Sequence, residues 1–452
     1  MAWLIVLLIA AFTTGDVLGL EMSVAPGLSV KNGILYLIAF TLIFRRALSG
    51  GEPVPFVAIH VAFFLLLGYA TLSWLIAGLV IKYPGYHLIE GAMSLKARLI
   101  DPALMLFAAL YALKDLKEVW LALKVILGAV AIANIATFLD AAGVVHFGMR
   151  VGDSGAEEGR VFGAFGHAND TGALIVCMLP ALFAMTMTSR GMARMLWLGG
   201  ALVSLMVLLM TVSRGAFVGL AVGGLIAAIV CRKYVPFERF VLLWIGLGLL
   251  CAIGVLVASL VDPQIAATLS DRLFGQSRAI DLSEASSGRT AIWAEALERM
   301  LQTPTTLLTG FGWGVYWVMP FRYAPHNYYL GLGFDLGIIA VSLVLLILAR
   351  CVIEARRAVE RAPADLRSQF LAFIFGILCL SISIIFADLY KPWTYIWLYA
   401  GIVLRGIVLS QEARVRAPAA AKAPEPSIIH GVPIHFGDTV ARPGRLVTRG
   451  RS

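Results

Sequence analysis

The sequence predicts an all-α polytopic membrane protein with about 12 transmembrane helices and a large outward loop that contains an amphipathic helix. Three observations predict it. First, 60% of the residues are hydrophobic and only 14% charged, with a mean hydropathy of +0.88, so polar side chains are too few to clothe a water-soluble surface. Second, apolar runs of about 20 residues recur from the N-terminus to Ser410, each long enough to cross ~30 Å of hydrocarbon as a helix. Third, basic residues gather in alternate connections between those runs.

The expected helices are 2–19, 32–45, 55–80, 99–113, 118–140, 171–188, 195–212, 215–231, 239–261, 326–349, 368–388 and 393–409. The first begins with Ala2 to Phe12 and has no basic residue ahead of it, which reads as a retained helix rather than a cleaved signal peptide. Alternate connections carry Arg45-Arg46, Lys114 with Lys117, Arg190 with Arg194, Arg232-Lys233 with Arg239, and the set Arg350, Arg356, Arg357, Arg361 and Arg367. The positive-inside rule makes these the cytoplasmic side, together with both termini. That distribution also accounts for the net charge of +9 and pI near 9.4 without nucleic acid, because no groove or stripe concentrates the basic residues. The five cysteines, Cys177, Cys231, Cys251, Cys351 and Cys379, fall in spans or at their cytoplasmic ends and offer neither a disulfide framework nor a CxxC metal pair.

Two outward connections are long. Residues 141–170 carry an acidic, Gly-rich stretch and then Arg160-Val-Phe-Gly-Ala-Phe-Gly-His167-Ala-Asn169-Asp170. Residues 261–325 form the largest polar segment before the tail, and a loop of that length is more often functional than a connector. Within it Ile292, Trp293, Ala296, Leu297, Met300 and Leu301 recur at helical spacing and stop before Pro304. This stripe has two destinations, the membrane surface or the helix bundle. Residues 1–410 are thus read as the transmembrane domain, and 411–452, rich in Ala, Pro, Arg and Lys, as a disordered basic cytoplasmic tail in contact with membrane lipids.

Cations on the outward side have no topological task, so they point to function. Arg214, in Thr211-Val-Ser-Arg-Gly-Ala-Phe217, interrupts an otherwise continuous apolar stretch, where a guanidinium costs several kcal/mol unless it is paired or reaches water. Anion binding answers that cost better than anchoring does. Arg289 opens the loop helix, where the helix dipole disfavours a cation by ~1 kcal/mol or less. An anion shared between its guanidinium and the helix N–H groups gives it a purpose, and a solvated surface arginine is the competing reading. His326, in Pro325-His-Asn327, carries an imidazole able to take a proton from a hydroxyl near neutral pH. Alone it would be an interfacial side chain; beside two outward arginines it becomes the general-base candidate.

Arg160, His167 and Asn169 are open to two readings, lining of a site or a Gly-rich structural loop with a helix cap at Asn169 or Asp170. Lys96, Arg98, Asp101 and Lys391 read as anchors or internal pairs. No GxxxxGK[ST], HExxH, GxSxG or Asp-x-Asp pattern occurs, so no metal, nucleotide or other cofactor is expected.

Taken in order, Ser213-Arg214-Gly215, then Gly288-Arg289-Thr290 with Trp293, then Pro325-His326-Asn327 with Gly337 resemble the O-antigen ligase and Wzy-type polymerase superfamily, most strongly from Arg160 to Gly337. The resemblance implies a bacterial inner-membrane glycosyltransferase whose outward loops, 141–170 and 261–325, are periplasmic. It implies an undecaprenyl-diphosphate-linked glycan donor, no metal, and inversion at the anomeric carbon. Arg214 and Arg289 would hold the diphosphate, and His326 would deprotonate the acceptor hydroxyl. Arg160, His167, Asn169, Trp293 and Asn327 would contact substrate. The acceptor is lipid A core for a ligase, the reading favoured, a growing glycan for a polymerase, or a protein hydroxyl for an oligosaccharyltransferase. A different class, an exporter or flippase of anionic glycolipid, would want charges deep in the bundle and reachable from both faces, whereas these gather at one.

Overall fold

The computed structural model describes residues 1–20, 23–25, 28–48, 54–147, 160–236, 288–321 and 324–421, with scattered positions between 238 and 256. The described chain is helical apart from a short antiparallel hairpin, Ser23–Ala25 with Leu28–Ser29. Its helices are α1 (Ala2–Leu18), α2 (Val30–Leu48), α3 (Val57–Ile81, ending in a π-helical turn), α4 (Leu88–Leu95), α5 (Asp101–Ala112) and α6 (Leu116–Ala141). There follow α7 (Ala168–Thr188), α8 (Gly191–Met210), α9 (Arg214–Cys231), α10 (Arg289–Leu301), α11 (Pro304–Thr309), α12 (Tyr328–Val359), α13 (Ala364–Ser383) and α14 (Pro392–Ala421). A π-helical turn over Lys96–Ile100 joins α4 to α5.

Eight of these helices are long and apolar enough to cross a bilayer: α3, α6, α7, α8, α9, α12, α13 with its extension to Phe386, and α14. The expected span at 2–19 is a 17-residue apolar helix, those at 32–45 and 99–113 lie within α2 and α4–α5, and 239–261 lies largely outside the described residues. The last expected helix runs on to Ala421, past the boundary drawn at 410; beyond Ala421 the expected tail lies outside the described residues. Residues from Ala413 onward form a separate unit.

Lipid is the solvent of this surface. Phe40, Ile43, Phe64, Val80 and Leu196 are all more than half exposed, an arrangement that water would penalise at roughly 25 cal/mol per Å² of apolar area. At the centre stand α7, α13 and α14, buried along most of their lengths. Small residues allow close approach of the backbones, as helix packing inside a bilayer favours. A Cβ on Gly376 of α13 would lie 2.0 Å from the Cys177 carbonyl oxygen of α7. On α9, Gly215, Gly219 and Gly223 recur every fourth residue, and Cβ atoms there would meet Phe386, Ser383 and the Cys379 backbone at 2.3, 2.7 and 2.5 Å. This glycine row presses α9 against α13 and fixes where Arg214, its first residue, stands.

The connections sort into two sets at opposite ends of the bundle. At one end Lys233 pairs with Glu360, Glu354 takes Arg350 at 2.6 Å and Arg357 at 3.2 Å, and the Arg405 Nε donates to the Leu113 carbonyl at 2.7 Å. These belong to the arginine-rich connections. The other set holds 160–170, 211–214, 325–328 and 387–391.

Candidate functional site

α8 and α9 are joined by a three-residue turn. Thr211 caps α8, Val212 adopts a left-handed φ of 47°, and the Ser213 side chain caps α9 by accepting from the Ala216 N–H. A β-branched residue in that conformation costs about 1–3 kcal/mol, which neighbouring contacts must offset. They do so through the first long loop. Arg160, buried at 3% exposure, donates from Nε to the Thr211 carbonyl at 3.0 Å and from a terminal nitrogen to Asn169 Oδ1 at 2.9 Å. The same Oδ1 accepts from Ser213 Oγ at 3.0 Å. Arg160 and Asn169 therefore clamp the loop to the turn that carries Arg214.

The cap of α7 is His167, not Asn169 or Asp170: its Nδ1 accepts the Asn169 backbone N–H at 3.2 Å. Burial, then the positive charges of Arg160 and Arg289, pull its pKa down to about 4, so the imidazole is neutral with its proton on Nε2. The ring is stacked between Phe162 at 5.5 Å and His326 at 5.7 Å, centroid to centroid.

His326 itself has a left-handed φ of 45°. Asp388, in the α13–α14 connection, holds that conformation by accepting the His326 N–H at 2.9 Å on Oδ2 and the Asn327 N–H at 3.1 Å on Oδ1. Asp388 Oδ2 also lies 3.7 Å from His326 Nδ1, too long for a hydrogen bond but close enough for an ionic interaction with a protonated ring. Burial pushes the Asp388 carboxyl up to about 6, opposed by the two backbone N–H groups and by Arg98 and Arg289.

Two of the expected substrate contacts are occupied by the fold. The Asn327 side chain caps α12 by accepting the Leu330 N–H at 3.0 Å, and the Trp293 indole N–H donates to the Pro325 carbonyl at 2.7 Å. Trp293 thereby ties α10 to the residue before His326. The remaining stripe of α10 resolves the choice between membrane and bundle: Ala296 and Met300 are buried against Tyr316, Leu330 and Phe334, while Leu297 and Leu301 stay exposed. Arg289 stands half-buried at the head of α10, and its charge acts on both His167 and Asp388. Arg214 is half-buried at the head of α9.

Of the expected anchors, Lys96 pairs with Asp101 at 2.7 Å and Lys391 with Asp16 at 3.5 Å. Arg98 does not share the Asp101 pair; it donates to the Tyr390 hydroxyl and lies over the rings of Tyr390 and Trp317. Asp388 was missed, although the argument that singled out Arg214, a charge between two apolar helices, applies equally to Ala387-Asp388-Leu389.

Residues 199–345 match the family model described as O-antigen ligase. Over that segment the chain is similar to the O-antigen ligase and Wzy-type superfamily. The matched segment holds Arg214, Arg289, Trp293, His326, Asn327 and Gly337, whereas Arg160, His167, Asn169 and Asp388 lie outside it. Comparison with curated proteins gives no match.

Proposed function

We propose that this chain is a metal-independent, inverting transferase of the bacterial inner membrane. It moves a glycan from undecaprenyl diphosphate to a hydroxyl of lipid A core at the periplasmic face, the O-antigen ligase reaction. The observation that carries the reading is the meeting, at the end opposite the arginine-rich connections, of arginines with a histidine–carboxylate pair. Arg214 and Arg289 neutralise the diphosphate as the bond to the anomeric carbon breaks. The acceptor oxygen attacks that carbon from the opposite side and loses its proton to the His326 imidazole beside Asp388. Asp388 stabilises the imidazolium that forms, and Arg160, Asn169 and His167 keep the Arg214 turn and the base in register.

A deletion strain tests the assignment. Loss of a ligase leaves long lipid-linked polymer without mature lipopolysaccharide. Capped single repeat units would make the enzyme a polymerase, and an unchanged glycolipid pool would overturn glycan transfer altogether.

The pH profile is a second expected outcome. Asp388 titrates near 6 in the folded chain against 3.8 for a free side chain, so acidification through about pH 6 neutralises the partner of His326 and transfer falls. His167 stays neutral down to about pH 4 and adds no inflection above that. The folded state binds this proton more tightly than the unfolded chain, so the stability that the neutral acid contributes is lost as pH rises from about 4 to 6. Activity and stability thus change in opposite directions. In a kcat/KM profile between about pH 5 and 8, Asp388→Asn should remove the Asp388 inflection; an acid limb unaltered in that variant would exclude Asp388.

A further inference from the structure

Beside Asp388 lies a cavity of about 50 Å³, lined by Arg98, Trp313, Tyr316, Trp317, Tyr390 and Trp393. Its wall is completed by Pro325 and Asp388 beside His326, and by Asp335 of α12. As it stands it has room for one or two waters. Trp317 and Tyr390, 47% and 38% exposed, are the wall residues with freedom to give way to something larger.

The polar atoms of this cavity are unbalanced. Trp313 and Trp393 are 5% and 1% exposed, and neither indole N–H has a hydrogen-bond partner. An indole N–H can only donate, and leaving one buried and unmade is unfavourable, so two on residues that line one cavity favour acceptor oxygens brought in where the wall gives way. The Arg98 guanidinium, 4.0 Å from the Tyr390 ring centroid and 5.4 Å from that of Trp317, adds further donors between two aromatic faces.

These features select among ligands. An aliphatic chain leaves the indole donors unmade, and a diphosphate meets the carboxylates of Asp335 and Asp388 in the same wall. A pyranose meets every demand, with C–H faces that lie on aromatic rings and hydroxyl oxygens that accept from indole and guanidinium groups. Position then decides which sugar. His326 stacks on His167, which neighbours the Arg160–Asn169–Ser213 clamp, and Asp388, 3.7 Å from the His326 ring nitrogen, lines the cavity. The leaving diphosphate belongs with the arginines and the attacking hydroxyl with the aromatic cavity.

We propose that the Arg98–Trp313–Trp317–Tyr390 cavity is the acceptor subsite and binds a pyranose ring of a carbohydrate acceptor. The proposal rests on the glycan-transfer reading and narrows its acceptor to a sugar hydroxyl. The test is steady-state transfer by the full chain in nanodiscs, from an undecaprenyl-diphosphate oligosaccharide to lipid A core in one arm and to a second lipid-linked oligosaccharide in the other. The arm that supports transfer identifies the source of the sugar. In that arm Trp317→Ala should raise the acceptor KM roughly tenfold, and Trp313→Phe, which keeps a ring and removes the N–H, severalfold, with the donor KM within about twofold. An unchanged acceptor KM in both variants, or a rise confined to the donor KM, overturns the subsite while Arg214→Ala still reports on the transfer site. No transfer by the wild-type chain in either arm overturns the glycan-transfer reading and the subsite with it.

Discussion

Replacing His326 with alanine is expected to lower kcat for glycan transfer by about 10²–10⁴, the usual contribution of a positioned general base. The loss falls mainly on kcat, because the proton moves only as the acceptor oxygen attacks, so ground-state binding of either substrate changes little. Arg214→Ala and Arg289→Ala should each cost about 10²–10³, the scale of removing one charge-stabilising group from a preorganised site. Asp388→Asn acts through His326, and its effect should largely vanish in the His326→Ala background, since a partner of an absent base has nothing left to orient. Single-turnover transfer from the lipid-diphosphate donor measures all four. Undiminished transfer in the arginine and histidine variants would sink the site, and additive losses for Asp388 and His326 would sink their pairing.

The membrane character and most helix positions were legible because they depend on local hydropathy, a property of each segment by itself. Arg214, Arg289 and His326 were legible for a related reason: a cation or titratable group at an apolar boundary carries a cost that demands an explanation. What local reasoning could not assign was which polar groups are used up by the fold. Asn327 and Trp293 look like site residues in sequence, yet one caps α12 and the other fastens α10 to Pro325, pairings that depend on chain segments up to 32 residues apart. Arg98 reads in sequence only as an anchor or internal pair, because its partner Tyr390 lies 292 positions away. The glycine row of α9 lay in plain view as Gly215, Gly219 and Gly223, but its meaning depends on the α13 backbone that it approaches.

Gly337 shows how far such a dependence reaches, and Gly337→Ala is expected to be among the most damaging single substitutions. The residue sits inside α12 with φ 68° and ψ −176°, a region that essentially only glycine occupies. A Cβ there would lie 2.1 Å from the Leu308 carbonyl oxygen and 2.5 Å from the Thr309 nitrogen, both backbone atoms of α11 that no rotamer change can move. Strain and overlap together amount to about 2–6 kcal/mol. The kink also serves the site. In the turn before it, the Phe334 and Asp335 carbonyls accept the Phe311 and Gly312 N–H groups at 2.9 Å each, and the Asp335 carboxylate accepts those of Gly314 and Tyr316 at 2.9 and 3.0 Å. These bonds dock the aromatic loop that α10 packs against, and Trp293 of α10 in turn holds the carbonyl next to His326. Gly337→Ala should therefore lower both the thermal midpoint of the detergent-solubilised protein and its transfer rate. Gly68→Ala on α3, where a Cβ meets nothing within 4 Å, should leave both near wild type. A Gly337→Ala protein with wild-type midpoint and rate would show that α11 yields at the crossing, and the chain of contacts from the kink to His326 would then lose its mechanical role.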